Sequence, residues 1–258
     1  MIIDNPRQLN QVPKRIISLV PSISALLYHL QLDEETIGIT KFCTVPKIWK
    51  HQKTIIGGTK NINIEKIKIL RPDLIICNRE ENMKAQIDLL AENFLVWVTD
   101  VKNLEDNNQM ISDIGKLTGK LHEAEKLIQQ INISFSVHQH HTRKYNATYL
   151  IWKEPYMTVG GDTFINDMME KAGFNNVFKN TTRYPVIELC EIEKNNCEVL
   201  FLSDEPYPFN SNHLNELKIK LPNIDIHLVK GIFFSWYGSE ILKSAEYFKE
   251  ICGQIHIN

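Results

Sequence analysis

The sequence of 258 residues is poor in the features that mark several classes of protein. It has five cysteines, Cys43, Cys77, Cys190, Cys197 and Cys252, and no two of them form a CxxC pair. An odd count without such pairs argues against a disulfide framework or a structural zinc site and favours reduced, mostly buried thiols. No apolar run approaches the roughly 18 residues that a transmembrane helix requires, so the sequence predicts no transmembrane segment.

An excess of charge of one sign is also lacking. Lys and Arg total 29 and Asp and Glu total 31, which gives a formal net charge of −2. Because a nucleic-acid-binding face needs a basic excess, we expect no nucleic-acid partner. The apolar share of 43% and the charged share of 23% are those of an ordinary globular protein. A chain of this length can bury a core without disulfide bonds.

Common enzyme motifs are missing. There is no GxSxG, GxxxxGK[ST] or HExxH, and no GxGxxG follows a predicted strand. The pairs Gly57-Gly58 and Gly160-Gly161 are interpreted as turn glycines that supply positive φ. His138 and His141 could share one helix face and bind a metal, but a solvated helix end explains them better, since no further ligand is implied. The sequence thus predicts no enzyme, no metal site and no cofactor.

The first fifteen residues do not resemble an export signal. Met1 to Arg15 contain no apolar stretch of about 7–15 residues and no small-residue cleavage site. As written, the sequence predicts a cytoplasmic protein. A periplasmic or membrane-anchored location would follow if an export signal had been trimmed from it.

Short apolar segments rich in β-branched residues alternate with helical segments. In the first part of the chain, strands are predicted at 15–20, 36–40, 54–56, 73–77 and 95–99, and helices at 22–30, 63–70 and 83–92. The alternation restarts with strands at 147–152, 199–203 and 225–229 and helices at 162–172, 188–194, 212–220 and 238–251. Such continuous apolar runs suit strands covered on both faces. The pattern predicts an α/β fold of two Rossmann-like lobes with mostly parallel sheets.

A long helical segment separates the two predicted lobes. Its apolar positions form one stripe: Met110, Ile114, Leu117, Leu121, Ala124, Ile128, Ile131 and Phe135. A glycine costs a helix about 1 kcal/mol relative to alanine, so a break is predicted at Gly119, followed by a helix over 120–141. A heptad coiled coil is the alternative. The predicted domains are an N-terminal lobe at 1–118, a connecting backbone helix at 119–143 and a C-terminal lobe at 144–258.

Residues typical of a binding site lie at the ends of the predicted strands, where open α/β sheets bind ligands. Aromatic side chains in loops can form the wall of a pocket for a large planar or macrocyclic ligand, although packing beneath the loops is the alternative. A cleft between the lobes is predicted to be lined by Pro21, Ser22, Phe42, Cys43 and Lys60 on one side and by Trp152, Gly160, Tyr184, Tyr207, Phe233 and Trp236 on the other. Cys43 could be a soft ligand to a metal in the cleft, but a thiol packed beside a proline explains it better.

Seven short motifs occur in an order and spacing known from one family. They are RIISLVPS at 15–22, IGIT at 37–40, IGG at 56–58, LRPDLII at 70–76, VGG at 159–161, NVF at 176–178 and YPVI at 184–187. Together they resemble the substrate-binding proteins of ABC importers that have a helical backbone, with the cobalamin-binding members nearest. This class handles cobalamin, ferric siderophores and haem. The resemblance implies that a large metal chelate is held in an interlobe cleft for ABC-type uptake.

The same resemblance implies one exposed glutamate on each lobe that pairs with an arginine of an ABC permease. Glu65 fits the first position. Cys190 falls at the second, so Glu188 and Glu191 on either side of it are the candidates there. The expected partners are thus the metal chelate and a permease, and the protein is expected to be a monomer.

Two other functions remain open at this point. One is a cytosolic enzyme or accessory factor that acts on a corrinoid, tetrapyrrole or metal chelate, since a fold alone does not settle function. A strongly perturbed carboxylate or histidine in the cleft would favour it. The other is a structural protein whose cleft is filled by its own side chains.

Overall fold

The computed structural model describes residues 1–3, 11–136 and 144–255 of the chain. The chain divides into two compact units. The first consists of Met1–Val101, Glu105–Gln130 and Tyr237–Glu240, and the second of Lys102–Leu104, Ile131–Trp236 and Ile241–Asn258. The four residues Tyr237–Glu240 therefore belong to the first unit although the chain on both sides of them belongs to the second. The sequence alone places these four residues in the predicted C-terminal lobe at 144–258 rather than in the N-terminal lobe at 1–118.

The first unit contains a parallel sheet whose strand order is β1-β6-β5-β2-β3-β4 in the described residues. The strands are β1 (Ile2–Ile3), β2 (Ile16–Ser18), β3 (Thr36–Ile39), β4 (Thr54–Ile55), β5 (Leu74–Asn78) and β6 (Val96–Thr99). From β2 the chain runs outwards to β4 and then returns to β5 on the other side of β2. The strand order thus reverses beside β2, and ligands of open α/β sheets bind outside the carboxyl ends of the strands at such a point.

Helices lie between the strands of the first sheet and after its last strand. They are α1 (Pro21–His29), α2 (Trp49–Gln52), α3 (Ile64–Leu70), α4 (Lys84–Ala91) and α5 (Leu104–Thr118), and a 3₁₀ turn covers Gly238–Glu240. Pro21 starts α1, where its fixed φ suits the first helical position. Asn63 caps α3, because its side chain accepts a hydrogen bond from the Lys66 amide.

The predicted break at Gly119 is confirmed. Helix α5 ends at Thr118, and α6 (Leu121–Ser136) begins after Gly119, which has a φ of +73°. The buried face of α6 differs from the predicted stripe: Leu127 is buried and Ile128 is only half-buried. Spacings of three and four residues both fit a helix, so the stripe can pass through either neighbour. His138 and His141 lie outside the described residues, as does the predicted end of the helix.

The second unit contains a parallel sheet whose strand order is β10-β9-β7-β8 in the described part of the chain. Its strands are β7 (Tyr145–Leu150), β8 (Phe174–Asn176), β9 (Val199–Ser203) and β10 (Asp225–Val229), and its helices are α7 (Phe164–Lys171), α8 (Leu189–Lys194), α9 (Ser211–Lys220), α10 (Ile232–Ser235) and α11 (Ile241–Gln254). Aromatic rings fill the core: the ring centroids of Phe174 and Phe201 lie 4.8 Å apart, as do those of Phe234 and Phe248. Two parallel α/β units confirm the predicted fold class.

The two glycine pairs serve different purposes. Gly57 has a φ of +108°, as predicted for a turn glycine. Gly160 and Gly161 have ordinary φ values, so the predicted reason is wrong for them. A Cβ atom on Gly161 would lie 2.1 Å from the Lys179 carbonyl oxygen, and one on Gly160 would lie 2.5 Å from the carbonyl oxygen of Thr181. Their missing side chains let two backbone segments pack directly against each other.

Candidate functional site

The carboxyl ends of β2, β5 and β6 in the first unit are covered by Tyr237, which is only 5% exposed. Its hydroxyl faces the side chains of Ser22 and Thr99. Burial, with a smaller contribution from the charge of Glu81, raises the pKa of Tyr237 well above its ordinary value. The next residue, Gly238, donates its amide hydrogen to Asn107 Oδ1 at 2.6 Å. The point at which the strand order reverses is therefore occupied by a side chain of the protein itself.

Three of the five ligand-binding residues predicted for the first unit are buried. Pro21 and Ser22 lie in the buried part of α1. Ser22 lies beneath Tyr237. Cys43 has no exposed surface, and its thiol donates a hydrogen bond to the Val45 carbonyl oxygen at 3.3 Å. Burial raises the pKa of the Cys43 thiol. The structure thus favours the alternative explanation of Cys43, a thiol packed near a proline.

Phe42 and Lys60 are the predicted residues of the first unit that solvent reaches. The Phe42 side chain is 51% exposed, and the Lys41 ammonium group lies 5.1 Å from the centre of its ring. Lys60 is exposed, and its ammonium group donates a hydrogen bond to the Glu80 carbonyl oxygen. The pair therefore offers an aromatic face and a cation at the surface of the first unit.

Two buried asparagines hold the loops that follow β2, β4 and β5. Asn82 donates hydrogen bonds to the carbonyl oxygens of Leu19 and Thr59, at 3.2 and 3.0 Å. It also accepts one from the amide of Asn78 at 2.9 Å. Sequence reasoning missed both residues. An asparagine at the last position of an apolar strand was the signal that could have revealed Asn78, since a buried amide needs partners.

In the second unit, Trp152 and Tyr207 follow the neighbouring strands β7 and β9. Their rings meet edge to face with centroids 5.5 Å apart. Trp152 is 41% exposed, and Tyr207 is half-buried. Tyr207 also packs against Phe209, which lies in the core, with ring centroids 4.8 Å apart. We call Trp152 and Tyr207 the aromatic pair; it combines an accessible indole with a ring that the core holds in place.

Acidic residues at the end of β9 hold the loop that follows β10. Asp204 accepts a hydrogen bond from the Gly231 amide at 2.8 Å. Glu205 accepts one from the Ser235 hydroxyl at 2.8 Å, and the Trp236 side chain faces the same carboxylate. Burial, and to a lesser degree the neighbouring Asp204, raises the pKa of Glu205, while Ser235 and Trp236 oppose the rise. Trp236, which is half-buried, thus lies beside the end of β9, the strand that precedes Tyr207.

The other predicted residues of the second unit have different surroundings. The Phe233 ring packs against Tyr247 of α11, with centroids 4.4 Å apart. Gly160 is buried and donates its amide hydrogen to the Arg183 carbonyl oxygen at 2.7 Å, in the loop that carries Tyr184. Backbone bridges join Trp152 to Met157 and Met157 to Val186, so this loop lies beside the turn that bears Trp152.

The three glutamates considered for docking are at helix starts. Glu65 lies in the first turn of α3 with a side chain 77% exposed, and its carboxylate pairs with Lys68 at 2.8 Å. Its predicted exposure is confirmed. Glu188 caps α8, and its amide donates a hydrogen bond to Glu191 Oε2 at 2.6 Å. Both glutamates therefore take part in the helix cap, and Glu188 is the more exposed of the two.

Other kinds of site have little support in the described residues. They contain no cluster of three or more His, Cys, Asp or Glu side chains that could hold a metal ion. No helix among them is both long and apolar enough to span a membrane. A cavity of about 220 Å³ lies in the first unit between β6 and α5, lined by Trp97 and Met110 among others. Ligand pockets are usually about 300–1,000 Å³, so this cavity is too small for a metal chelate.

Relatives of this chain include proteins named for substrate binding in ABC transport and for vitamin B12 binding. An ABC transporter substrate-binding lipoprotein of Bacillus subtilis is 26% identical over 208 residues, which cover 76% of this chain and 65% of the lipoprotein. The match thus spans slightly less than two thirds of that relative. A vitamin B12-binding protein of Pectobacterium atrosepticum is 22% identical over 256 residues, which cover 95% of this chain and 89% of the relative.

Solved structures share the fold. A possible iron-binding periplasmic solute-binding protein from Staphylococcus epidermidis superposes with a TM-score of 0.78 at 23% identity, over 93% of this chain and 98% of that one. The sequence model of the family described as periplasmic binding protein matches residues 16–219, from β2 to α9. This match takes in most of both units, and the chain therefore belongs to the periplasmic binding protein family, a family of solute-binding proteins.

Proposed function

We propose that this chain binds a large metal chelate, such as cobalamin, a ferric siderophore or a haem-like compound, and delivers it to an ABC permease without transforming it. The observation that carries the proposal is the set of accessible aromatic side chains after β7, β9 and β10, namely Trp152, Tyr207 and Trp236. Relatives named for vitamin B12 binding and for substrate binding in ABC transport support it, as does a structural neighbour named for iron binding.

Trp152 and Tyr207 suit a broad, flat ligand. A planar ring system stacks on an aromatic face or packs against its edge, which adds about 0.5–1.5 kcal/mol to the effect of burial. Covering the 41% of Trp152 that is exposed would contribute about 2 kcal/mol more, at 25 cal/mol per Å² of apolar surface. Because Tyr207 is anchored on Phe209, little conformational entropy would be lost on binding.

In the first unit, we propose that Phe42 and Lys60 contact a ligand. Haem carries carboxylates and cobalamin carries a phosphate, and an exposed ammonium group such as that of Lys60 can pair with either. Phe42, 51% exposed, would add apolar contact. Pro21, Ser22 and Cys43 are left out of the proposed site because all three are buried.

Glu205 is the carboxylate that comes nearest to what an enzyme would need. Its pKa is raised, which is typical of a general acid or base. Its carboxylate, however, already accepts a hydrogen bond from Ser235 and faces Trp236, and both residues belong to the fold rather than to a substrate. This arrangement favours a role in holding the loop and supports a binding protein over an enzyme.

We propose that the protein acts outside the cytoplasmic membrane and docks on its permease through Glu65 and Glu188. One relative is named as a lipoprotein and one structural neighbour as a periplasmic protein, and both names support this location. Both glutamates are exposed, so an arginine of a partner could reach them. This role for Glu65 would influence mainly the rate and register of docking.

Titration of the purified protein with cyanocobalamin, haemin and ferrichrome tests the proposal. We expect one of the three to bind saturably, with a change in visible absorbance or tryptophan emission. Trp152→Ala should weaken that binding about tenfold or more, because it removes an accessible aromatic surface. Ile69→Ala is the matched control, since Ile69 is equally apolar and 79% exposed on α3. Absence of binding by all three ligands, or equal binding by Trp152→Ala, would overturn the proposal.

A further inference from the structure

We propose that Glu205 is a positioning residue for Trp236, so that ligand binding at the carboxyl ends of β7, β9 and β10 depends on the ionisation of Glu205. The inference rests on the proposed function in one respect, namely that Trp236 contacts the ligand. The hold of Glu205 on Trp236 can be measured without any ligand.

The Glu205 carboxylate lies where it can place the Trp236 side chain. It accepts a hydrogen bond from the Ser235 hydroxyl at 2.8 Å and faces the side chain of Trp236, the next residue. Ser235 is the last residue of α10, a single turn of four residues, and Trp236 follows it. Such a short helix has little stability of its own, so the hydrogen bond from Ser235 to Glu205 decides where the turn ends and hence where Trp236 lies.

The start of the same turn is held by the same strand end. Asp204 accepts a hydrogen bond from the Gly231 amide at 2.8 Å and pairs with the Lys230 ammonium group at 2.9 Å. A Cβ atom on Gly231 would lie 2.4 Å from Cγ of Glu205 and 2.5 Å from Oγ of Ser203. The turn thus lies directly on the stem of Glu205, which leaves its carboxylate little freedom to move away from Trp236.

The charged and titratable groups around Glu205 come from four elements. Asp204 follows β9, and its negative charge opposes the ionisation of Glu205. Lys230 follows β10 and pairs with Asp204 rather than with Glu205. Tyr149 of β7 donates its hydroxyl hydrogen to Ser203 at 2.9 Å, and Tyr247 of α11 accepts from the Lys230 amide. Burial and Asp204 together raise the pKa of Glu205 towards neutral pH.

Ionisation should have opposite effects on binding and on folding. An ionised carboxylate accepts stronger hydrogen bonds than a neutral acid, so Trp236 is held best when Glu205 is charged. A carboxyl group whose pKa is raised on folding contributes stability below its unfolded pKa, and this contribution is lost as pH rises through its folded pKa. On acidification through that range, Glu205 therefore stabilises the fold while its hold on Trp236 weakens. If Glu205 had only a structural role, acidification would raise the stability of the fold without lowering the affinity for the ligand.

The first experiment follows the emission of Trp236 without ligand. Subtracting the spectrum of Trp236→Phe from that of the wild type at each pH isolates this emission between about pH 4 and 8. We expect a single transition above the usual range of a glutamate. The same subtraction is then made in the Glu205→Gln background, with the Glu205→Gln, Trp236→Phe double variant as the reference. There the transition should be absent. Glu193→Gln, an exposed carboxylate on α8, should keep it. A transition that persists in Glu205→Gln overturns the inference.

The second experiment uses cyanocobalamin and haemin as probes over the same pH range. For a probe that binds, the affinity of the wild type should fall about three- to tenfold relative to that of Glu205→Gln as pH is lowered, while its relative melting temperature rises. A ratio of affinities that stays constant with pH overturns the inference. Failure of both probes to bind while the emission transition depends on Glu205 would instead count against the proposed function and leave the positioning of Trp236 supported.

Discussion

Gly115 of α5 and Ala124 of α6 meet so closely that a Cβ atom on Gly115 would lie 2.4 Å from the Cβ of Ala124. The chain turns between these helices at Gly119, and the Lys120 amide donates to the Gly115 carbonyl oxygen at 2.7 Å. The two helices can therefore meet at this corner only because Gly115 has no side chain.

Gly115→Ala should lower the free energy of unfolding by about 1–3 kcal/mol, because the added methyl group overpacks the corner. Chemical denaturation measures this. Gly253→Ala is the matched control: Gly253 lies in α11 with open space where its Cβ would be, so alanine there should raise stability by about 0.5–1 kcal/mol. Equal stabilisation by both substitutions would contradict the close contact.

Asn82→Ala should destabilise the first unit by about 2–4 kcal/mol, since it leaves the carbonyl oxygens of Leu19 and Thr59 without their donor. Thermal unfolding followed by circular dichroism measures the loss. Asn212→Ala, at an exposed position in α9, should change stability by less than about 0.5 kcal/mol. Similar melting temperatures for the two variants would show that Asn82 does not hold the loops together.

Glu65→Ala should leave ligand affinity unchanged and lower stability by no more than about 1 kcal/mol, because the residue is exposed at the start of α3. Trp236→Ala should weaken binding of the same ligand about tenfold. Isothermal titration calorimetry distinguishes the two effects. Loss of binding in Glu65→Ala together with normal binding in Trp236→Ala would reverse the proposed roles of docking and ligand contact.

Cysteine alkylation should distinguish one thiol from the rest. Burial raises the pKa of Cys77 to about 12 and that of Cys197 to about 11, while Cys190 is exposed. Only the thiolate reacts readily, so brief treatment with iodoacetamide at pH 8 should modify Cys190 first and leave Cys77 and Cys197 unmodified. Peptide mass spectrometry before and after denaturation gives the order. Early modification of Cys77 would contradict its burial.

Local sequence patterns predicted most strands, and they failed where a strand has an unusual composition. β9 has the predicted bounds, Val199–Ser203, because it is a short apolar run that is buried at every position. β10 also has its predicted bounds, Asp225–Val229, although it is an edge strand that is buried at only two of its five residues. β8 was missed, since its three residues include two asparagines, which are poor strand formers. The strands rich in apolar residues could thus be predicted from the sequence alone.

The candidate site was less predictable because it depends on contacts between distant parts of the chain. Nothing near Ser22 in the sequence indicates that Tyr237 covers it. Likewise, the pairing of Glu205 with Ser235 depends on two strand ends lying side by side. Trp152 and Tyr207 were predicted because each follows a recognisable strand, which is information that the local pattern does contain.

The passage of Tyr237–Glu240 into the first unit limits how the protein can be divided. A fragment that ends at Gln130 would lack Tyr237 over the carboxyl ends of its strands and the Gly238 amide that Asn107 accepts from. Such a fragment would expose buried polar groups and apolar surface together, so it should need the remaining segment supplied as a separate peptide. Expression of the two halves as unlinked chains should therefore give a folded first unit only by complementation, in contrast to proteins whose domains follow one another along the chain.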